Sequence, residues 1–474
     1  MCGKIRSGVM VNKTYDLLVL GSGPAGEKGA AQAAYFGKNV ALIEKEDVLG
    51  GAAANTGTLP SKTLRESALY LSGFRQRDLF GLSFKFKEQV SASDFMYRER
   101  LVVQSERSRI SDNVKAHNID LYRGFAEFSD DHTVLVTPKN GTQVTLNSDV
   151  FLIATGSHPF QPPIFPFYDS RVYDSDTILH VNDLPGSMFI AGGGVIGCEY
   201  ACMLAALGIK VHLVEGRNEL LSFMDKELSD NLTKCLRNSG INLHLSTEIE
   251  EVTAGDNLQI QLNSGERIEV ETLLAATGRN GNTEGMGLEE IGLKPGPRGH
   301  LEVNDHYQTN LDHIYAAGDV IGFPALASTA MEQARIAMVH AFNLKYKTEL
   351  ATILPYGIYT IPECSMAGKT EEDLQSRNVP YVAGRARYNA NARGQIIGDE
   401  EGFLKLLFNK KDMKLLGVHV IGESASELVH VGLTAILLGA DADLFIHTCY
   451  NYPTLTELYK YATYDALGQR AKDM

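Results

Sequence analysis

Tyr15-Asp16-Leu17-Leu18-Val19-Leu20-Gly21-Ser22-Gly23-Pro24-Ala25-Gly26 is an apolar run that ends in three spaced glycines. The run suits a buried parallel strand, because a strand covered on both faces reads as continuous hydrophobic sequence. A helical stretch, Glu27 to Phe36, follows, and a second strand, Asn39 to Ile43, ends at Glu44. In such a unit Gly21 permits the tight turn, and Gly23 lets the backbone approach a pyrophosphate at the helix N-terminus. Gly26 lets helix and strand pack closely. Glu44 is placed to bind a ribose hydroxyl. Glycine-rich turns alone are common, but here strand, turn, helix, strand and acid come in order, so the segment reads as a dinucleotide-binding unit.

The pattern returns. Met188-Phe189-Ile190-Ala191 leads into Gly192-Gly193-Gly194-Val195-Ile196-Gly197, with the fingerprint glycines at Gly192, Gly194 and Gly197. A helix is expected from Cys198 to about Leu207, and a strand from Lys210 to Val214 ends at Glu215. Glu215 follows Gly197 at the same separation as Glu44 follows Gly26. The chain therefore reads as an α/β protein with two Rossmann-like units that bind two dinucleotides. Ala154-Thr155-Gly156 and Ala276-Thr277-Gly278-Arg279 each follow a short apolar strand and read as the crossover ends of the two units. They add Thr155, Gly156, Gly278 and Arg279 to the binding residues. Ile314-Tyr315-Ala316-Ala317-Gly318-Asp319 is a short strand ending in Gly-Asp before a helix. Asp319 reads as a helix N-cap or as a carboxylate on the sugar-like chain of a flavin, and the two roles are compatible.

At 474 residues the chain holds two or three domains. A net charge of −14 disfavours nucleic acid or an anionic membrane as a general partner, while leaving room for a local basic phosphate pocket. Six cysteines (Cys2, Cys198, Cys202, Cys235, Cys364 and Cys449) show no paired spacing. Cys198 and Cys202 share a helix without further ligands, so buried structural thiols in a reducing cytoplasm are expected, and no metal site. Met1 to Lys13 carries Lys4 and Arg6 but no signal-like apolar run, and reads as a tail before a strand that starts near Tyr15. No stretch approaches the roughly 18 apolar residues of a membrane span.

From about Tyr15 to its end the chain resembles the two-dinucleotide-binding flavoproteins, the family of lipoamide dehydrogenase and glutathione reductase. Gly50-Gly51-Ala52-Ala53-Ala54-Asn55-Thr56-Gly57-Thr58-Leu59-Pro60-Ser61-Lys62 has the frame of that family's active site, with Ala53 and Thr58 where the redox cysteines would be. The resemblance implies an FAD domain over 14–157 and 280–350 and an NAD(P) domain over 158–279. It also implies an α+β dimerisation domain over 351–474 that makes a homodimer. FAD would use the first unit with Gly51, Gly318 and Asp319; NAD(H) and NADP(H) would be substrates at the second. Gly278-Arg279-Asn280-Gly281-Asn282-Thr283, Gly357-Ile358-Tyr359-Thr360-Ile361-Pro362-Glu363 and Tyr450-Asn451-Tyr452-Pro453-Thr454 are most similar to the soluble pyridine nucleotide transhydrogenases. That group keeps a cysteine at the position of Ala53.

A disulfide reductase needs two thiols and a base. The family's base is a histidine held by a glutamate; here Tyr452 occupies its place, read as a packed or interface aromatic, while Glu457 remains. With sulfur chemistry gone, hydride delivered by one nicotinamide leaves to another, from NADPH to NAD or back. The resemblance sets Lys62 beside the reactive flavin nitrogen, paired with Glu199, where a cation would stabilise negative charge. The alternatives are a surface lysine and an early-turn glutamate favoured by the helix dipole. Glu215 suits the 2′-hydroxyl of NAD and should repel a 2′-phosphate, which Arg217, otherwise a loop arginine, could attract. Better binding of NADH than NADPH is expected. The runner-up activity is a diaphorase that reduces a quinone, dye or oxygen; a non-catalytic flavoprotein ranks below it.

Overall fold

The computed structural model describes residues 12–73, 90–346, 349 and 351–472. Cys2, Lys4, Arg6 and the rest of the expected tail up to residue 11 lie outside the described residues. The chain divides into two compact units. One comprises the residues up to Pro60 with Tyr97–Phe160 and Gly278–Ala351; the other comprises Ser61–Met96, Gln161–Thr277 and Thr352–Met474.

The first unit is built on a seven-stranded sheet. Asn12–Leu20 pairs in parallel with Val40–Glu44 on one side and Val144–Ile153 on the other, and Ile314–Ala316 lies parallel to Val144–Ile153. The first strand starts earlier than its apolar run, because its ladder with the long partner strand continues down to Asn12 opposite Thr145. Leu20 lies opposite Ile43 and Ile153, and Ile153 opposite Ala316, so these strands end together. That common carboxyl edge carries Gly21, Glu44, Thr155 and Gly318, which is where an open α/β sheet binds ligands. Phe125–Asp130 and Thr133–Thr137 add an antiparallel excursion that the sequence pattern did not announce. The helix Pro24–Tyr35 begins before Glu27 because Pro24 fits a first helical position, its fixed φ being preset for the helix and its missing N–H costing nothing.

The second unit repeats the plan with a five-stranded parallel sheet in the order Asn242–Leu245, Lys210–Glu215, Ser187–Ala191, Thr272–Ala275, Val172–Asp174. The helix Val195–Ala206 follows the glycine turn. The unit also contains a five-stranded antiparallel sheet formed by Tyr356–Ile358, Cys364–Gly368, Leu415–Ile421, Phe403–Asn409 and Tyr381–Arg387. The helix Leu458–Lys472 lies against its edge so closely that a Cβ on Gly384 would stand 1.9 Å from the Ala462 carbonyl oxygen. No helix among the described residues is long and apolar enough to cross a membrane.

Cys198, Cys202, Cys235 and Cys364 are buried, and Cys449 is exposed, against the expectation of a buried thiol there. Burial pushes the Cys198 and Cys364 thiols up and takes Cys202 to about 12, which leaves them protonated and inert.

Lys405 interrupts the apolar strand Phe403–Asn409 and is only 1% exposed. Its Nζ lies 2.7 Å from Asp225 Oδ1, 2.8 Å from Glu371 Oε1 and 3.0 Å from Glu227 Oε2. Arg385 also pairs with Glu227 and Glu371. The network ties the start of the helix Lys226–Asn238 to the antiparallel sheet. Removing one partner from a buried ion cluster leaves uncompensated charge, so Lys405→Met should lower the unfolding free energy by about 3–5 kcal/mol. Denaturant titration reads this; an unchanged midpoint refutes it.

Two buried histidines predict a pH response. Burial lowers the pKa of His212, with a further push from stacked His244, and burial also lowers that of His419. Both stay neutral in the folded chain where the unfolded chain takes up protons near pH 6.5. Stability is therefore full above that pH and is lost as pH falls through it. Melting temperature measured between about pH 7.5 and 5.5 should decline; a flat profile contradicts the assignment.

Candidate nucleotide sites and the lysine–glutamate pair

The two glycine turns share their geometry. Gly21 has φ +100°, and a Cβ there would lie 2.4 Å from the Ala154 carbonyl oxygen; Gly192 has φ +112°, with the same 2.4 Å to Ala276. A Cβ on Gly26 would lie 1.8 Å from the Gly21 oxygen, and one on Gly197 would lie 1.8 Å from the Gly192 oxygen. These four glycines are demanded by the protein's own backbone. The middle glycines are different. Gly23 has φ −64°, and its nearest neighbour would be Gly51 Cα at 3.8 Å; Gly194 has φ −79° and nothing within 4 Å. No protein atom requires glycine at either place, so the space fits a group lying against the backbone. Both residues start a helix with no capping side chain, which leaves first-turn N–H groups available to an anion.

The acids repeat as well. Glu44 Oε2 accepts from the Ser22 N–H at 3.0 Å, and Glu215 Oε2 from the Gly193 N–H at 2.8 Å. Glu44 is completed by the Ser22 hydroxyl and the Glu46 N–H. Glu215 is completed by Arg217, whose Nε and Nη2 lie 2.9 and 3.1 Å from its oxygens and whose N–H donates at 3.0 Å. The Glu215 carboxyl is held below its usual range: burial opposes this, and the Arg217 contacts overcome it. Arg217 is thus an ion-pair partner as well as a loop arginine.

Around the first turn, a Cβ on Gly51 would lie 2.7 Å from Gly23 Cα, so the active-site frame meets the nucleotide turn backbone to backbone. Thr155 Oγ1 is buried without a protein partner, an acceptor and donor suited to a polar ligand. Gly156, with φ +71°, has open space at its Cβ. Asp319 opens a single 3-10 turn whose N-cap is Gly318, so the N-cap reading of Asp319 does not hold. Its carboxylate accepts from the Ser157 hydroxyl at 2.9 Å, and Arg279 Nε donates to that hydroxyl at 2.9 Å. Gly278 and Arg279 therefore join the first unit, beside Asp319, rather than the second glycine turn. Ser22 and Ser157 were not singled out from sequence; a lone serine carries no signal until its neighbours are known.

Lys62 lies on the helix Thr58–Leu71, and its Nζ donates to both oxygens of Glu199, at 2.9 and 2.8 Å. Glu199 is nearly buried and lies beyond the first turn of Val195–Ala206, so the helix-dipole reading fails. The Tyr359 N–H donates to Glu199 at 2.9 Å, and the Tyr359 ring centroid is 5.0 Å from Lys62 Nζ. Arg65 on the same helix donates from Nε to the Thr360 carbonyl and pairs with Glu363. Tyr359 and Arg65 carry no signal in the sequence alone, because their roles depend on Glu199, Thr360 and Glu363 being brought beside them. Lys62 is thereby held as a fixed cation rather than a free surface lysine.

Ala53 sits in the short helix Gly51–Asn55 and Thr58 begins the next one. Tyr452 is 75% exposed on this chain, so it is not packed within it. Glu457 ends the 3-10 turn Leu455–Glu457.

Gly194 supplies a clean test. Gly194→Ala should alter folding stability by no more than about 1 kcal/mol, since its φ is ordinary and its Cβ meets nothing, while nucleotide affinity at the second unit falls at least about tenfold. Gly197→Ala should instead destabilise the fold itself. Equal affinity in Gly194→Ala and wild type refutes the assignment.

The chain matches the family model for pyridine nucleotide-disulphide oxidoreductases over residues 15–334 and the dimerisation-domain model of the same family over 354–463. A soluble pyridine nucleotide transhydrogenase of Mycobacterium tuberculosis is 43% identical over 459 residues, covering 96% of this chain and 98% of that protein. One from Yersinia enterocolitica is 40% identical over the same shares. Among solved structures, LpdA from Mycobacterium tuberculosis aligns with a TM-score of 0.88 at 25% identity, covering 95% of this chain and 99% of its own. A flavoprotein disulfide reductase from Escherichia coli induced by hypochlorous acid aligns at 0.86 and 26% identity over the same shares. The chain belongs to the pyridine nucleotide-disulphide oxidoreductase family.

Proposed function

We propose that this protein is an FAD-dependent enzyme that transfers hydride between NADPH and NAD without a redox disulfide. The observation that carries this reading is a selective loss. Ala53, Thr58 and Tyr452 remove both thiols and the imidazole base, while both glycine turns and the Lys62–Glu199 pair are intact. The relatives at 40–43% identity named as transhydrogenases support the same reading.

Bound FAD supplies a ring that accepts hydride and gives it back. In this reading Gly21, Gly26 and Gly51 shape the turn, Gly23 lets its pyrophosphate lie against backbone, and Glu44 holds its ribose. Thr155, Gly156, Gly318, Asp319 and Arg279, with Gly278, line the rest. Gly192, Gly194, Gly197, Glu215 and Arg217 hold the nicotinamide nucleotide. In this reading Lys62, held by Glu199, would supply a cation fixed before reaction, so that no reorganisation is needed as negative charge develops. The domain bounds in this reading are 14–157 with 280–350 for FAD, 158–279 for NAD(P) and 351–474 for dimerisation. In this reading the protein is a cytoplasmic homodimer; the dimerisation-domain match supports the dimer.

Anaerobic mixing of the protein with NADPH and a thio-analogue of NAD should give direct reduction of the analogue, with lipoamide and glutathione disulfide left untouched. No transfer together with fast quinone reduction would replace this reading by a diaphorase. Lys62→Met should slow hydride transfer by about 100-fold while the protein keeps its fold; full activity in that variant removes Lys62 from the mechanism.

A further inference from the structure

The two acids at the ends of the nucleotide-binding strands are set up differently. Among the described residues, Glu44 accepts from neutral groups: the Ser22 N–H and hydroxyl and the Glu46 N–H. Glu215 carries a cation. Its Oε1 accepts from the Arg217 N–H and Nε, and its Oε2 from the Gly193 N–H and Arg217 Nη2. A carboxylate has about four lone-pair sites, so this one is saturated by the protein's own donors. A ribose 2′-hydroxyl finds no vacant acceptor there while Arg217 stays in place, and a 2′-phosphate meets a pair that is neutral overall. The repulsion of NADPH expected from a bare Glu215 does not arise.

The partners differ in how tightly they are held. The Glu215 side chain is 9% exposed and that of Arg217 is 56% exposed. The backbone between them is fixed, with Thr247 N–H donating to the Glu215 carbonyl and Ser246 N–H to that of Arg217. The guanidinium also donates to the Ser222 hydroxyl at 2.8 Å. Side-chain rotation of Arg217 therefore frees Glu215 without moving the chain, and Glu215 keeps two backbone donors when it does.

We propose that Arg217 is an exchangeable counter-ion that lets one adenosine-ribose site take both nucleotides. With NAD(H) the guanidinium withdraws, and one of the two lone-pair sites it vacates on Glu215 accepts from the ribose 2′-hydroxyl. With NADP(H) it keeps its Nε hydrogen bond to Glu215, so the acid stays neutralised, and turns its two Nη groups from Ser222 and Glu215 onto the 2′-phosphate. Preference between NADH and NADPH is then set by the cost of loosening this one ion pair in either case, and is small. This rests on reading the second unit as the nicotinamide nucleotide site.

The test is equilibrium titration of the holoprotein with 5′-AMP and 2′,5′-ADP, which report the adenosine end alone. Wild type should bind both with similar affinity. Arg217→Gln should weaken 2′,5′-ADP by about 10- to 100-fold, the worth of a charge-assisted hydrogen-bond pair, and leave 5′-AMP unchanged or tighter. Glu215→Gln should weaken 5′-AMP and leave 2′,5′-ADP unchanged or tighter. Equal weakening of both ligands by Arg217→Gln, or no effect on either, overturns the exchange while the nucleotide site stands. Binding of neither ligand to wild type overturns the site as well.

Discussion

Both nucleotide turns rest on one contact, the approach of a helix Cα to the carbonyl of the glycine that opens the turn. At Gly26 and again at Gly197, any side chain would have to occupy space 1.8 Å from that oxygen. Only a hydrogen atom fits, and the helix is drawn against the strand end as a result. Its uncapped first turn then points along the carboxyl edge of the sheet, where the acid at the end of the next strand also arrives. The glycine turn and the first turn of the helix in either unit are placed by that contact. The contact recurs with the same distances in two stretches of differing sequence, which marks it as a steric requirement of the turn.

Given two such turns, the chemistry is decided by what lies between nucleotide entry and electron exit. A thiol pair with a nearby base would draw electrons into sulfur, and here all three groups are replaced. The cation survives with its full support. Lys62 is bound to both oxygens of Glu199, Glu199 to the Tyr359 backbone, and Arg65 to Thr360 and Glu363. Such clamping costs side-chain entropy and is justified where a charge must stand still. A lysine clamped in this way, in a chain that has lost the redox cysteines and the base, fits an enzyme that exchanges hydride between nucleotides.

Much of this was legible in the sequence because it depends on local rules. The Gly21 and Gly192 turns, their helices and the strand ends at Glu44 and Glu215 follow from apolar runs, glycine spacing and the period of each element. Cys198 and Cys202 were read correctly as buried. What escaped depends on distant partners. Lys405 reads as a surface lysine in an apolar strand until Asp225 and Glu371 are brought beside it. Asp319 offered an N-cap role beside its flavin-facing one; Gly318 takes the cap, and the Ser157 hydroxyl that donates to its carboxylate is a distant partner. Arg217 was noticed for its charge, but its saturation of Glu215 comes from two side chains folding over one turn. Cys449, expected to be buried, is exposed, since neighbouring residues do not report which face of a loop meets solvent.

The central claim is that electrons enter and leave by nucleotide and never pass through sulfur. Its most direct measurement is an anaerobic titration of the flavin absorbance with NADPH. One equivalent of NADPH per flavin should bleach the colour, no long-wavelength thiolate-to-flavin band should appear, and added NAD should restore the spectrum. Uptake of a second equivalent with such a band, or a bleached flavin that NAD cannot reoxidise, would contradict the account.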